Sequence, residues 1–215
     1  MKQLYVVRSG VFGVNTIIVP LEDGKCFVVD PAACALSRDE NKIVDFLRSK
    51  KLECVLIVLT HSHFDHITGI APLKKKFPNA EVAIHEAEYA EMQTPPGPMG
   101  AAVISFFGAM ELLNEVAKQP SATRALKSDE SIFGWKVIHT PGHTPGSICL
   151  YNKDFFDGEG ALISGDTIFD YGGYGRTDMA GGDEAQIMHS LEVLRRTIPA
   201  GTKVYPGHDS FGFSF

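Results

Sequence analysis

The sequence is sparing with cysteine and has no C-x-x-C pair: Cys26, Cys34, Cys54 and Cys149 are unevenly spaced in apolar, strand-like surroundings. A chain of 215 residues can bury a core without covalent staples, so this usage argues against a disulfide framework and reads as four buried thiols. Positive charge is in deficit. Twenty Lys and Arg face 26 Asp and Glu, a net charge of −6, so no overall positive field gathers nucleic acid or anionic lipid. The basic run Lys74-Lys75-Lys76, supported by Lys50-Lys51, reads as a solvated helix end. Residues 1–8 lack both an uninterrupted apolar stretch and a small-residue cleavage site, so no secretory signal is expected and the cytoplasm is the expected compartment. A membrane span is missing too. The longest uncharged stretch, residues 92–110, carries Pro95, Pro96, Gly97 and Pro98 in its first half, and the continuous apolar remainder is too short to cross a bilayer. The expected partner is a small-molecule substrate, with neither nucleic acid nor membrane; the oligomeric state stays open.

What is present is globular in composition, 44% hydrophobic and 21% charged, with no short-period repeat, low-complexity segment or linker, so a single domain over 1–215 is expected. Short apolar runs between Gly, Asp-Gly and Asp-Pro turns predict strands at 4–7, 16–19 and 26–29. A helix follows at 39–50 with Ser37 or Asp39 as its N-cap, then a buried strand at 54–59, a helix at 67–77, a strand at 81–84 and a short helix at 86–92. The second half predicts strands at 136–140, 147–151, 161–164 and 203–205, with an amphipathic helix at 183–197 before the last. Two sheets packed face to face with helices outside accommodate this order. Residues 93–128 fit less well. They read as a helical insertion whose Val103, Phe106, Phe107, Met110, Leu113 and Ala117 share one stripe, either as extra core or as a cover whose Phe106 and Phe107 wall a site.

Three of the eight histidines fall in Thr60-His61-Ser62-His63-Phe64-Asp65-His66, directly after an apolar strand. Random placement would produce such a trio in roughly one chain in a hundred, so the cluster is read as chemistry. Residues i and i+2 of an extended segment point the same way, so His61 and His63 can grip one metal from the same side. Asp65 and His66 lie at the turn into a helix and face a second position. Imidazole and carboxylate without thiolate suit zinc, manganese or iron. Further donors stand in the same strand-to-glycine-turn context: His143 in Thr140-Pro141-Gly142-His143, Asp166 in Ser164-Gly165-Asp166, and His208 in Tyr205-Pro206-Gly207-His208. These loops are expected to converge on one edge of the fold. His85, His139 and His189 are read as non-catalytic.

With these motifs, joined by Gly175-Arg176-Thr177-Asp178 and Gly181-Gly182-Asp183, the chain resembles the metallo-β-lactamase superfamily and, within it, the small glyoxalase II-like (hydroxyacylglutathione hydrolase-like) hydrolases. The resemblance covers most of the chain. It implies an α+β fold, an αββα sandwich of two mixed sheets flanked by helices. It also implies a binuclear site with two divalent ions, zinc in the first place and iron or manganese otherwise. His61, His63 and His143 would hold one metal, Asp65, His66 and His208 the other, and Asp166 would bridge them. Histidine at 63, where the diiron flavoprotein branch has glutamate, and the lack of a cysteine ligand both point to the glyoxalase branch. The chain departs from glyoxalase II in ending seven residues after His208, without a helical domain to supply basic contacts to glutathione.

Two metals about 3.5–4 Å apart bring a shared water near neutral pKa and stabilise a developing oxyanion, with Asp65 as the catalytic carboxylate that binds metal and orients the nucleophile. No general acid stands beside the ligands in sequence, and a thiolate leaving group, pKa about 8.5, needs none. Thioester hydrolysis is therefore the leading expectation. The alternatives are a persulfide dioxygenase-like oxidoreductase with a single iron, and a lactone or phosphodiester hydrolase of the same fold. Tyr171 and Tyr174 are candidates for the substrate side. Arg176 is either an ion pair with Asp178 or an anion contact, and Ser62, Thr144 and Asp209 are candidates to support the ligands. The aromatic tail Phe211, Phe213, Phe215 either folds back or pairs with another subunit.

Overall fold

The computed structural model describes residues 3–156 and 158–215. Its first half builds a six-stranded sheet in chain order: β1 (Tyr5–Ser9), β2 (Val14–Pro20), β3 (Lys25–Val29), β4 (Glu53–Val58), β5 (Glu81–His85) and β6 (Arg124–Leu126). Tight turns make β1 to β3 an antiparallel meander, and helical crossovers make β3 to β6 parallel. Those crossovers are α1 (Lys42–Lys50), then α2 (Phe64–Ile67) with α3 (Ile70–Lys76), then α4 (Gly97–Phe106) with α5 (Glu111–Val116). The second sheet contains β7 (Ser131–Ile132), β8 (Trp135–His139), β9 (Ile148–Phe156), β10 (Glu159–Gly165), β11 (Lys203–Pro206) and β12 (Phe213–Ser214). Only β10 and β11 run parallel in it, and α6 (Glu184–Thr197) is the crossover between them.

Strands buried on both faces read as unbroken apolar runs, and β3 shows why. Phe27 and Val29 point into the space between the sheets, where they meet Trp135, Leu150 and Ile163 of the second sheet. Cys26 and Val28 point the other way, against Ile43, Leu47 and Ile70 of the helices. A smaller core of Cys149, Leu162, Leu194 and Val204 seats α6 on the opposite face. The result is the expected helix, sheet, sheet, helix layering, and all four cysteines are free and buried within it. No helix among the described residues is long and apolar enough to cross a membrane.

Several local expectations are corrected. The helix expected at 67–77 is two, broken at Gly69, where a Cβ would press on the Pro31 carbonyl at 3.0 Å. Residues 86–92 form two 3-10 turns, Glu86–Glu88 and Glu91–Gln93. Neither Ser37 nor Asp39 caps α1, because the Asp39 carboxylate instead accepts the Gly10 and Cys34 amides at 2.9 and 3.0 Å. The single stripe expected across 93–128 is interrupted at Gly108 (φ +62°), which leaves Phe106, Phe107 and Met110 exposed, and the segment also supplies β6. The aromatic tail folds back: Phe213 pairs with Val204, and Phe211 stacks on Tyr205.

Candidate metal centre

The loops after β4, β8, β10 and β11 meet at one end of the sandwich. Close backbone approach at that end depends on small residues. Gly165 (φ +49°) lies against Thr60, and a Cβ on Gly207 would occupy the space of the Asp166 carboxylate and the His66 ring. Two groups of donors with no shared member result, beside a third, Asp30 with His61 and His66, that draws on both. Nitrogens of His61, His63 and His143 lie within 4.8 Å of one another, all three residues buried, and donor atoms of Asp65, His66 and His208 form a second such set. The extended backbone at His63 (φ −60°, ψ 141°) puts its ring 4.6 Å from that of His61. Asp65 and His66 follow in the first turn of α2 and so face the other group. Asp166 stands between: one carboxylate oxygen is 3.6 Å from His143 Nε2 and 3.5 Å from His208 Nε2, and the other is 3.5 Å from His66 Nε2.

Hydrogen bonds fix which nitrogens are free. His143 Nδ1 sits 2.7 Å from the Arg176 carbonyl, which only accepts, so Nδ1 carries the proton and Nε2 keeps its lone pair. Thr60 Oγ1 donates to Asp30 and therefore accepts from His61 Nδ1 at 3.0 Å. His66 Nδ1 donates to Asp30 at 3.0 Å. The Nε2 atoms of His61, His63 and His143, with one oxygen of Asp166, are then buried without a hydrogen-bond partner. Such a set is costly unless a cation completes it, so these side chains fit a bound metal.

The two groups differ electrically. Burial, aided by the neighbouring imidazoles, pushes His61 well below the ordinary histidine range, and burial with His143 lowers His63 to about 3. Burial also opposes charge on His66 and His208, but carboxylates outweigh it: Asp166, Asp65 and Asp30 hold His66 well above the ordinary value, and Asp65 with Asp166 raises His208. Against their own burial, Asp65 and Asp166 are pulled down, in both cases with His66 as the main cause. His61 and His63, held neutral by burial, thus adjoin a pair of histidines set among carboxylates.

Three supporting residues escaped the sequence reading. Asp30, 2% exposed at the end of β3, accepts from Thr60 N and Oγ1 at 2.7 and 2.6 Å and from His66. Glu88, 1% exposed, takes the Ser62 amide on one oxygen and the Gly146 amide on the other, each at 2.7 Å. Asn15 on β2 donates to the Pro206 carbonyl at 3.1 Å, and its amide bonds Gly207 O at 2.7 Å, which anchors the His208 turn. A position at a strand end was the available signal for Asp30; for Glu88 and Asn15 there was none. Of the supports expected from sequence, Ser62 acts through its amide, Thr144 bonds Ser147, and Asp209 offers its carbonyl to Arg8 and Asn15.

A cavity of about 350 Å³ opens over these groups, and Phe107, Tyr174 and Arg176 are among its lining residues. Phe106 and Tyr171 are not. Tyr171 sits at φ +56° in a tight turn that throws its ring into solvent, 98% exposed. Phe106 is 58% exposed, meets Phe107 edge to face with ring centres 5.5 Å apart, and lies against the Arg176 guanidinium.

His85 and His139 stack outside the donor groups, ring centres 4.0 Å apart. His85 is buried, accepts the Ala87 amide on Nδ1, and is lowered to about 4 by burial and by His139. The unfolded chain therefore takes up this proton first as pH falls, so the stability from a neutral His85 is intact above about pH 6.5 and drains away toward pH 4. Between pH 7 and pH 5 the loss is expected to be about 2 kcal/mol. His85→Asn, which keeps an acceptor for Ala87, should show a correspondingly flatter pH dependence in urea unfolding, and equal slopes would refute the assignment.

Comparison with known proteins agrees with this geometry. The metallo-beta-lactamase superfamily model matches residues 9–208. The probable metallo-hydrolase YqgX of Bacillus subtilis (strain 168) is 30% identical over 192 residues, 87% of this chain and 82% of the relative. A hydroxyacylglutathione hydrolase of Shewanella oneidensis is 33% identical over 208 residues, 96% of this chain and 66% of that protein. The crystal structure of TTHA1623 in a di-iron-bound form superimposes with a TM-score of 0.78 at 29% identity, covering 96% of this chain and 92% of that one. Matched along nearly its whole length, and with its histidines and carboxylates gathered at one end of the sandwich, the chain belongs to the metallo-beta-lactamase superfamily and is a metal-dependent hydrolase of that class.

Proposed function

We propose that the protein is a binuclear hydrolase of thioesters, similar in reaction to glyoxalase II. The observation that supports this reading most is the position of Asp166, within 3.6 Å of histidines from both donor groups. His61, His63 and His143 would hold one divalent ion, Asp65, His66 and His208 the other, and Asp166 both. Zinc, iron and manganese all suit this nitrogen and oxygen set. When bound, such a pair supplies Lewis acidity and a water of lowered pKa. Asp65, kept ionised beside His66 and His208, accepts a hydrogen bond from the attacking water and orients it. The water oxygen adds to the acyl carbon, the carbon–sulfur bond breaks, sulfur leaves as thiolate, and the water protons pass to solvent.

The leaving group follows from what the cavity offers. Apart from the donor groups, its titratable lining residues are Tyr174 and Arg176. The Tyr174 hydroxyl is committed to Glu184 at 3.0 Å, a bond that raises its pKa. Arg176 forms two bonds to Asp178, at 2.6 and 2.7 Å. Neither stands ready to protonate an amine, whereas a thiolate, pKa about 8.5, departs without help.

Metal analysis combined with a panel of S-lactoylglutathione, acyl thioesters, lactones and a phosphodiester tests the reading. Two metals per chain and thioesters favoured over lactones and the phosphodiester are the expected result. One iron per chain with oxygen uptake on glutathione persulfide would replace this function with an oxidoreductase.

A further inference from the structure

The cavity over the donor groups has an apolar side built from separate parts of the chain. Phe12 comes from the β1–β2 turn, Phe64 from the start of α2, and Phe107 from the end of α4. Their ring centres lie 5.5 to 6.1 Å apart. Val103 and Met179 extend this wall, and Phe169, 6.5 Å from the His208 ring, faces it. Phe12 and Phe107 remain 44% and 42% exposed. Half-exposed rings around a concave site beside reactive groups offer area that an apolar ligand would cover.

Charge in the cavity is arranged to the same end. Arg176 is the one Lys or Arg among its described lining residues, and, although its side chain is 43% exposed, its guanidinium is already engaged. Asp178 takes its Nε and one terminal nitrogen, and the guanidinium lies 5.2 and 5.4 Å from the ring centres of Phe106 and Phe107. A carboxylate at the far end of an acyl chain lying along this wall would meet aromatic rings, with the one cationic side chain there already paired to Asp178. Burying it there costs more than burying a methyl group.

We infer that this pocket selects an uncharged, apolar acyl chain, and that the Arg176–Asp178 pair excludes acyl groups ending in a carboxylate. The inference rests on the thioesterase reading for the identity of the reacting bond, but its test reads binding and so stands apart from turnover. The probes are thioethers of N-acetylcysteamine carrying ethyl, butyl, hexyl and ω-carboxypentyl chains, titrated by calorimetry into metal-free and zinc-loaded protein.

Affinity is expected to rise about two- to fourfold for each added methylene, as apolar burial requires, and the ω-carboxypentyl probe should bind at least about tenfold more weakly than the hexyl one. Phe107→Ala should flatten the chain-length slope. Asp178→Asn should free Arg176 and strengthen binding of the ω-carboxypentyl probe about tenfold or more, with little change for hexyl. A flat slope in the parent protein, or a carboxylate probe that binds as well as hexyl, overturns the inference whether or not thioesters are cleaved. If the slope and the Asp178→Asn effect appear but no thioester is hydrolysed, the pocket assignment stands and the thioesterase reading falls.

Discussion

Replacing Asp166 with alanine is expected to strip metal from both donor groups at once. Its two oxygens reach histidines of both sets, His143 on one side and His66 and His208 on the other. The imidazoles of His66, His208 and His143 offset its burial and hold its carboxyl well below the ordinary range, so its charge is part of what makes the end of the sandwich tolerable to a cation. Loss of an outer hydrogen-bond partner of a metal ligand typically costs about 10- to 100-fold in affinity or activity. Loss of a ligand shared by two ions should exceed that, and kcat/KM is expected to fall by about 10³-fold or more. His208→Ala, by contrast, removes a donor from one group alone and should leave one ion per chain. Metal analysis of desalted protein after zinc loading separates the cases: two ions in the parent, one in His208→Ala, and almost none in Asp166→Ala. If Asp166→Ala retained both ions and full activity, the shared carboxylate, and with it the binuclear reading, would be wrong.

How far such an experiment could have been designed from sequence alone depends on the kind of contact. The candidate donors were legible because the fold concentrates them. Four sit within six residues at the end of β4, and His143, Asp166 and His208 each follow a strand through a glycine-containing turn. The sandwich was legible because β3 and β4 are buried on both faces and so read as apolar runs between crossover helices. Strands β6, β7 and β12 have two or three residues, too short to carry a period. Pocket residues were half legible. Tyr171 and Tyr174 are equivalent as sequence, but a left-handed backbone at Tyr171 turns it outward, while Tyr174 sits three residues on, across an isolated bridge to Ile168. Phe106 and Phe107 are likewise adjacent, in edge-to-face contact, and nothing in the sequence marks Phe107 as the one of the two that lines the cavity. Least legible were contacts that end on backbone amides, since an amide has no residue type to announce it.

Glu88 is the largest consequence of that blind spot. It is a carboxylate 1% exposed at the end of a 3-10 turn after β5, and each of its oxygens accepts one backbone amide at 2.7 Å. Ser62, one of the two amides, lies between His61 and His63; Gly146, the other, lies three residues after His143. Glu88 therefore ties the loop of the first sheet to the loop of the second at the point where their three histidines must meet. Gly146 is pressed so closely on the Glu88 stem that an added Cβ would lie 2.8 Å from its Cγ, so the two segments are fitted as well as bonded. Glu88→Ala orphans two buried donors, each worth about 1–3 kcal/mol, and opens a cavity besides. A loss of about 3–6 kcal/mol in unfolding free energy is expected, enough to unfold many domains. Glu88→Gln keeps the volume and one acceptor but turns an NH2 toward the second amide, so it should fold with a smaller loss, about 1–3 kcal/mol. In that folded variant, zinc affinity at His61, His63 and His143 should drop about 10- to 100-fold, as for other partners that orient ligands, with a smaller change at Asp65, His66 and His208. A stability loss with unchanged affinity at both positions would mean that Glu88 serves the fold and not the metal.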